Sequence, residues 1–290
     1  MQLIRFGTKG HERPGLLQPD GIVDLRAVFA DIPDIDERFF SQGWPARLAG
    51  LRVPGRQRQE RLGPPVAQPS KIICLGKNYM AHAKEGGFEA PDRPLIFCKT
   101  PNTLNGPYDP VLLPQSSDQV DWEVELALII GKAGKRIRKS QAMDHIAGFT
   151  VMNDVSARRA QFADSQWFRG KSFDTFAPVG PALVTLDEIG DPHDLRLTAT
   201  VNGECMQSGT TADLIFDLPT LIADISQDIT LVPGDILSTG TPAGVGFFRN
   251  PPVVLKDGDE VACRIERIGE IRNLFVSSLT GEASGNYRKV

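Results

Sequence analysis

The stretch Val120-Asp121-Trp122-Glu123-Val124-Glu125-Leu126-Ala127-Leu128-Ile129-Ile130 limits what this chain can fold into more than any other. Val120, Trp122, Val124, Leu126, Leu128 and Ile130 alternate without a break, which reads as a β-strand with one fully apolar face. Asp121, Glu123 and Glu125 occupy the other face, which turns apolar at Ala127 and Ile129, so the carboxylates sit where the strand enters buried territory. On a helix, residues two apart point in different directions. On a strand, Glu123 and Glu125 project to the same side, about 7 Å apart at Cβ, and their stems can converge on one divalent cation. Like charges on a half-buried face repel and lose hydration unless something compensates. A Glu-x-Glu pattern alone also fits a solvated face with lysines nearby. A second acidic strand end favours the metal: Phe149-Thr150-Val151-Met152-Asn153-Asp154 is a short apolar strand that stops at Asp154. Three carboxylates suit a hard cation such as Mg²⁺ or Mn²⁺ and leave positions open for substrate oxygens.

Around this segment the chain is strand-rich. Asp20-Gly21, Asn202-Gly203, Pro233-Gly234 and Asp257-Gly258 each stand beside alternating apolar residues, and Val201-Asn202-Gly203-Glu204 reads as a tight hairpin. Pro219 to Ser226 carries a helical period, with Leu218, Leu221, Ile222 and Ile225 apolar. Leu3-Ile4-Arg5-Phe6 and Gly21-Ile22-Val23-Asp24-Leu25 are strand candidates in a small β-rich unit. A Pro- and Gly-rich stretch carrying Arg52, Arg56, Arg58 and Arg61 follows, so residues 1–69 read as a small domain plus linker and 70–290 as the main domain. That basic stretch reads as a nucleic-acid arm, or as a solvated linker or inter-subunit strap. The polar end, Thr280 to Val290, is expected to fray.

Composition narrows the function classes. With 32 Lys+Arg against 36 Asp+Glu, the net charge of −4 offers no attraction to nucleic acid or an anionic membrane, which favours the linker reading. The longest apolar run, Leu126 to Ile130, is far short of a spanning helix, and the N-terminus lacks a secretory apolar segment. Cys74, Cys98, Cys205 and Cys263 are scattered singly, as expected of buried free thiols in a reducing cytoplasm. No two of the four histidines are at ligand spacing, so any metal is held mainly by oxygen.

Four motifs occur in order: Asp121-Trp122-Glu123-Val124-Glu125-Leu126, Asn153-Asp154-Val155-Ser156-Ala157-Arg158, Gly170-Lys171-Ser172-Phe173-Asp174 and Gly240-Thr241-Pro242-Ala243-Gly244-Val245-Gly246. Together they resemble the fumarylacetoacetate hydrolase superfamily, in its acylpyruvase or 2,4-diketo-acid hydrolase-like branch, from about Lys71 to Phe275. The resemblance implies a β-rich α+β fold, a mixed β-sandwich roll with a small N-terminal β-rich domain. It also implies a homodimer and Mg²⁺ or Mn²⁺ on Glu123, Glu125 and Asp154. Gly76-Lys77-Asn78-Tyr79-Met80-Ala81-His82-Ala83-Lys84-Glu85-Gly86-Gly87 is similar to the family's lid, with His82 and Glu85 as its catalytic dyad. Read from the residues, Asn78 is an N-cap and Gly86-Gly87 a stop, leaving barely two turns, so disorder without ligand is expected. The resemblance further places Lys171 in the active site and Lys99, Arg158, Gln161 and Thr241 near the substrate. Surface lysines, an internal ion pair for Arg158 and an ordinary tight turn at Thr241 are the alternatives.

The activity so implied is hydrolysis of the C–C bond of a 2,4-diketo acid, an acylpyruvate or a deoxy-sugar-derived acid, to pyruvate or a related keto acid plus a carboxylic acid. Oxaloacetate decarboxylation or tautomerisation and ureidoglycolate cleavage are the alternatives within the superfamily. A non-catalytic metal or keto-acid binding protein is the alternative outside it.

Overall fold

The acidic segment folds as two strands, Val120–Asp121 and Val124–Ile130, where one was expected. Val120–Asp121 pairs with Ser156–Ala157, whereas Val124–Ile130 lies between Ile146–Asn153 and Ile236–Ser238. Trp122 and Glu123 leave the ladder at the point where the chain and its partner part. There the Glu123 N–H donates to Asn153 Oδ1 at 3.0 Å, and the Asp154 N–H donates to the Glu123 carbonyl at 2.9 Å. The carboxylates therefore stand at a fork in the sheet, where side chains from both branches face a common space. The computed structural model describes residues 1–56, 60–163 and 165–277, so Arg58 and Thr280 to Val290 lie outside the described residues.

The fork belongs to an eleven-stranded sheet. Its main path runs Gly21–Asp24, Arg13–Gln18, Gln2–Phe6, Ala177–Val184, Ile146–Asn153, Val124–Ile130, Ile236–Ser238, Ile72–Gly76 and Leu95–Lys99. Neighbours on this path are antiparallel, except that Ile236–Ser238 runs parallel to Ile72–Gly76. A five-stranded sheet, ordered Glu204–Thr210, Arg196–Val201, Glu260–Ile265, Gly269–Ser277 and Val111–Leu113, covers one face. The hairpin expected at Asn202-Gly203 is present, with φ of 50° and 84°, the left-handed pair that a two-residue turn needs. The architecture is the strand-rich α+β sandwich that the sequence suggested.

Strand alternation divides the core. Val124, Leu126, Leu128 and Ile130 pack between the two sheets with Leu197, Val261, Ile271 and Phe275. Ala127, Ile129 and Met152 face the other way, under Phe39, Phe40, Trp44 and Leu48 from the short helices Glu37–Ser41 and Trp44–Leu48. Each such large side chain contributes about 1.5–3 kcal/mol on burial. By the two-residue period, Glu125 shares the face of Ala127 and Ile129, so a carboxylate begins where an apolar layer ends. Both faces of Val124–Ile130 are buried, and the expected half-exposed acidic face is absent because the N-terminal helices cover it. Residues 1–69 thus add strands and a helical layer to the main sheet, with Gln2 and Leu3 registered against Val184 and Leu183.

Other local expectations divide. The helix expected from Pro219 runs Leu218–Ile225, capped by the Asp217 carboxylate, which accepts from the Thr220 N–H at 2.8 Å. Arg61 is no solvated arm: it pairs with Asp109 and Glu12. Cys74 and Cys263 are buried free thiols, but Cys98 and Cys205 are exposed. Cys205 lies in the outermost strand of the five-stranded sheet, beside the hairpin turn.

Candidate active site

Glu123, Glu125 and Asp154 each present a carboxylate oxygen to one point, all within 4.8 Å of one another, and all three residues are buried. The fork explains the convergence, since Glu123 and Asp154 are its two prongs and Glu125 is the first residue on its stem after Val124. Lys171, from the short helix Phe168–Lys171, places its ammonium between Glu123 Oε2 at 2.6 Å and Asp154 Oδ2 at 2.7 Å. Arg158 donates from Nη2 to Glu123 Oε1 at 2.6 Å, from Nε to Asp121 Oδ1 at 2.8 Å and from Nη1 to Gln161 Oε1 at 3.1 Å. Lys99, fully buried, donates to Asp154 Oδ1 at 2.6 Å and to the Val155 carbonyl at 3.1 Å. Glu125 has no cationic hydrogen-bond partner among these: its Oε2 accepts from Ser238 Oγ at 2.5 Å and from the Gly240 N–H at 3.0 Å.

The electrostatics follow from these contacts. Burial pushes the Glu123 carboxyl up, and Lys171 and Arg158 more than offset it, holding it well below the usual carboxylate range. Burial depresses the Lys171 ammonium and the Arg158 guanidinium, but their carboxylate neighbours outweigh it and both are raised. For Lys99, burial prevails over Asp154 and the ammonium is lowered. Glu125 is pushed well above its ordinary value by burial, then by repulsion from Asp154 and Glu123, against which the Ser238 hydroxyl is a small counterweight. Asp121, Glu123, Glu125 and Asp154 thus face three cations, Lys99, Arg158 and Lys171, and the deficit of positive charge falls on Glu125. An all-oxygen donor set short of positive charge fits a hard divalent cation.

Beside this cluster lies a cavity of about 30 Å³, lined by Glu123, Glu125, Lys171, Arg158, Gln161, Thr241 and His82 on its polar side. Phe88, Phe97, Phe162, Trp167 and Phe248 line its apolar side. His82 and Glu85 come from the expected short helix, Met80–Glu85. His82 Nδ1 stands 3.3 Å from Glu85 Oε2, and the Glu85 carboxylate accepts from the Gly244 N–H at 2.9 and 3.1 Å. Gly244 has φ +108°, and a Cβ there would come within 2.1 Å of the Met206 carbonyl oxygen, so only glycine can offer that N–H.

The helix Met80–Glu85 is capped differently from the sequence reading. Tyr79 is the N-cap residue, without a side-chain bond, and Gly86 closes the C-terminus. Asn78 is instead a clamp, donating to the Thr239 carbonyl at 2.9 Å and the Phe216 carbonyl at 3.2 Å and accepting from the Phe216 N–H at 2.8 Å. The Asn78 clamp, the buried Ala83 and the Glu85–Gly244 contact dock the helix and supply what two turns lack.

Of the residues placed near the substrate by resemblance, Arg158, Gln161 and Thr241 line the cavity, whereas Lys99 stands behind Asp154 and does not. The Thr241 hydroxyl is committed, donating to the Val124 carbonyl at 2.9 Å and accepting from Gln207 Nε2 at 2.8 Å. Three supporting residues went unread. Gln207 also accepts from the Val124 N–H and donates to the Pro242 carbonyl; Ser238 holds Glu125, and Asn153 holds Glu123. Asn153 stands in a motif already singled out, and Ser238 lies two residues before the glycine-rich turn, whereas nothing local marks Gln207.

Comparison with known proteins identifies the family. The family model described as fumarylacetoacetate (FAA) hydrolase C-terminal matches residues 71–276. The chain is 48% identical over 264 residues, 88% of its own length and 84% of the relative's, to the mitochondrial oxaloacetate tautomerase FAHD2A of Homo sapiens. It is 42% identical over 275 residues, 94% of this chain and 95% of the relative, to 2,4-didehydro-3-deoxy-L-rhamnonate hydrolase of Sphingomonas sp. (strain SKA58). Maleylpyruvate hydrolase from Sphingobium sp. SYK-6, solved with manganese (II) ion and pyruvate, superposes with a TM-score of 0.77 at 33% identity, covering 96% of this chain and 99% of that one. Among the described residues no helix is long and apolar enough to cross a membrane. With most of its length matched by the family model and relatives 42–48% identical over most of both chains, the chain belongs to the fumarylacetoacetate hydrolase family and is an enzyme of that family.

Proposed function

We propose that the chain interconverts the enol and keto forms of oxaloacetate. The observation that carries this reading is the His82–Glu85 pair, whose imidazole lines the same cavity as Glu123 and Glu125 and stands ready to move a proton there. The 48% identical relative named as an oxaloacetate tautomerase supports it.

Glu123, Glu125 and Asp154 would hold Mg²⁺ or Mn²⁺. Bound there, such an ion supplies Lewis-acid charge to the 1-carboxylate and 2-oxo oxygens of the substrate. Tautomerisation moves one proton between the C2 oxygen and C3 and breaks no carbon–carbon bond. Glu85 engages His82 Nδ1, leaving Nε2 as the ring nitrogen that takes the proton of the enol C2 hydroxyl and delivers it to C3, or carries it back in the reverse direction. The Glu85 charge stabilises the imidazolium, and the Gly244 N–H fixes the Glu85 carboxylate. The raised Lys171 ammonium stays charged and stabilises negative charge on the neighbouring oxygens. Arg158 and Gln161 orient Glu123 and close the cavity wall. Phe88, Phe162 and Phe248 exclude water, so that C3 exchanges its proton with His82.

The second reading is hydrolysis of the C3–C4 bond of a 2,4-diketo acid, with His82 taking its proton from water that attacks C4. The 42% identical deoxy-rhamnonate relative, matched almost end to end, favours it. Incubating the Mn²⁺-loaded protein, and the protein after EDTA, with enol oxaloacetate, acetylpyruvate and 2,4-didehydro-3-deoxy-L-rhamnonate separates the two. Loss of the enol ultraviolet absorbance above background, with no pyruvate released, is the expected outcome. Stoichiometric pyruvate-type product from a diketo acid, with oxaloacetate enol decaying at its background rate, overturns it in favour of hydrolysis.

A further inference from the structure

Four side chains able to carry positive charge line the cavity: Lys77, His82, Arg158 and Lys171. Three are committed to carboxylates, Arg158 to Asp121 and Glu123, Lys171 to Glu123 and Asp154, and His82 to Glu85. Lys77 is different. Among the described residues it forms no ion pair, and its ammonium stands 3.7 Å from the centroid of the Phe88 ring. Phe88 is itself 38% exposed, and a cation is held only weakly over a ring that water also reaches. A half-buried charge so placed is uncompensated and can move to a better partner.

The backbone at this position is also constrained. Lys77 has φ 58°, in the left-handed region that a β-carbon disfavours. Both neighbours are fixed in place. A Cβ on Gly76 would come within 2.5 Å of the Trp167 ring, and Asn78 is clamped by its three hydrogen bonds. The strand Ile72–Gly76 therefore ends by delivering a lysine stem to the cavity wall, and the chain then turns into the lid helix.

We infer that Lys77 pairs with a second carboxylate on the substrate, making the site selective for dicarboxylic 2-oxo acids over analogues whose far end is neutral. In oxaloacetate that group is the C4 carboxylate. The inference rests on the reading above, in which the acidic cluster engages the 1-carboxylate and 2-oxo end. It deepens that reading by assigning a residue to the other end.

The test uses ligands that do not react. Calorimetry on the Mn²⁺-loaded protein compares L-malate, its 4-methyl ester and oxalate, which fills only the chelating end. In the wild type, malate should bind about 10–100-fold more tightly than the ester, the scale of one charge-assisted hydrogen bond. Lys77→Met should reduce that ratio to about 1, Lys77→Arg should keep most of it, and oxalate affinity should stay within about twofold in both variants. In kinetics, Lys77→Met should raise KM for enol oxaloacetate far more than it lowers kcat. An unchanged malate-to-ester ratio in Lys77→Met, no discrimination in the wild type, or a parallel loss of oxalate affinity each overturns the assignment. If the ratio behaves as expected but oxaloacetate enol is not turned over, the functional reading fails and the role of Lys77 stands.

Discussion

Replacing Glu125 by glutamine should make the metal-free protein more stable while removing its response to metal. Glu125 is 1% exposed and accepts hydrogen bonds from Ser238 and Gly240 on a single oxygen, Oε2. Burial and its neighbours Asp154 and Glu123 disfavour its charged form. In Glu125→Gln the amide oxygen keeps both acceptor roles, and the amide nitrogen becomes a donor beside two carboxylates. Exchanging repulsion for a charge-assisted hydrogen bond is worth about 1–2 kcal/mol, the scale also seen when functional sites are relaxed. At roughly 2–3 °C per kcal/mol for a chain of this size, Tm in EDTA should rise by about 2–6 °C. The pH dependence carries a definite sign. A carboxyl whose folded pKa is raised contributes stability that is fully present below its unfolded value near 4.5 and is lost as pH rises through the folded value. Metal-free wild type should therefore lose stability relative to Glu125→Gln as pH increases from about 4.5 into the neutral range. Thermal unfolding in EDTA and in saturating Mn²⁺ measures both effects, with wild type gaining from Mn²⁺ and the variant gaining little. A variant less stable than wild type in EDTA at pH 7–8, with an undiminished Mn²⁺ response, would refute the reasoning.

Lys99→Met should destabilise the metal-free protein by about 3–5 kcal/mol in urea unfolding, because it leaves Asp154 Oδ1 buried without its cation; a change under 1 kcal/mol would show that Lys171 alone suffices. Asn78→Ala should cost about 2–3 kcal/mol by orphaning the Thr239 and Phe216 groups, and hydrogen exchange should show the helix Met80–Glu85 opening more readily. Gly244→Ala should lower kcat while leaving Mn²⁺ affinity near wild type, since the turn must shift away from the Met206 carbonyl and withdraw its N–H from Glu85.

What was legible in the sequence was whatever is local. The alternation after Val124, the end of the second strand at Asp154, the Asn202-Gly203 hairpin and the His82–Glu85 spacing all follow from near-neighbour periodicity, and all are present. Periodicity could not show that the ladder breaks at Trp122 and Glu123, because the break comes from Asn153, thirty positions away, taking the Glu123 N–H. Nor could it show that the acidic face is covered, because Phe39, Phe40 and Trp44 arrive from the N-terminal segment. Family likeness placed Lys99 near the substrate; its ammonium is held by Asp154 and the Val155 carbonyl, contacts that no local pattern could reveal. Asn78 reads as a cap because asparagine before a helix usually is one; here the carbonyls of Thr239 and Phe216 compete for its amide and win.

The most direct measurement is the enol-to-keto rate of oxaloacetate on His82→Ala, set beside Mn²⁺ and oxalate calorimetry on the same preparation. His82 lies on the helix Met80–Glu85 and is not one of the carboxylate group that would hold the ion, so both affinities should remain near wild type. The catalysed rate should fall by roughly 10²–10⁴-fold, the usual scale of general acid–base catalysis, and Glu85→Gln should fall in the same direction. A wild-type rate in His82→Ala with metal and oxalate bound would contradict the account, because proton transfer at C3 would then come from some other group.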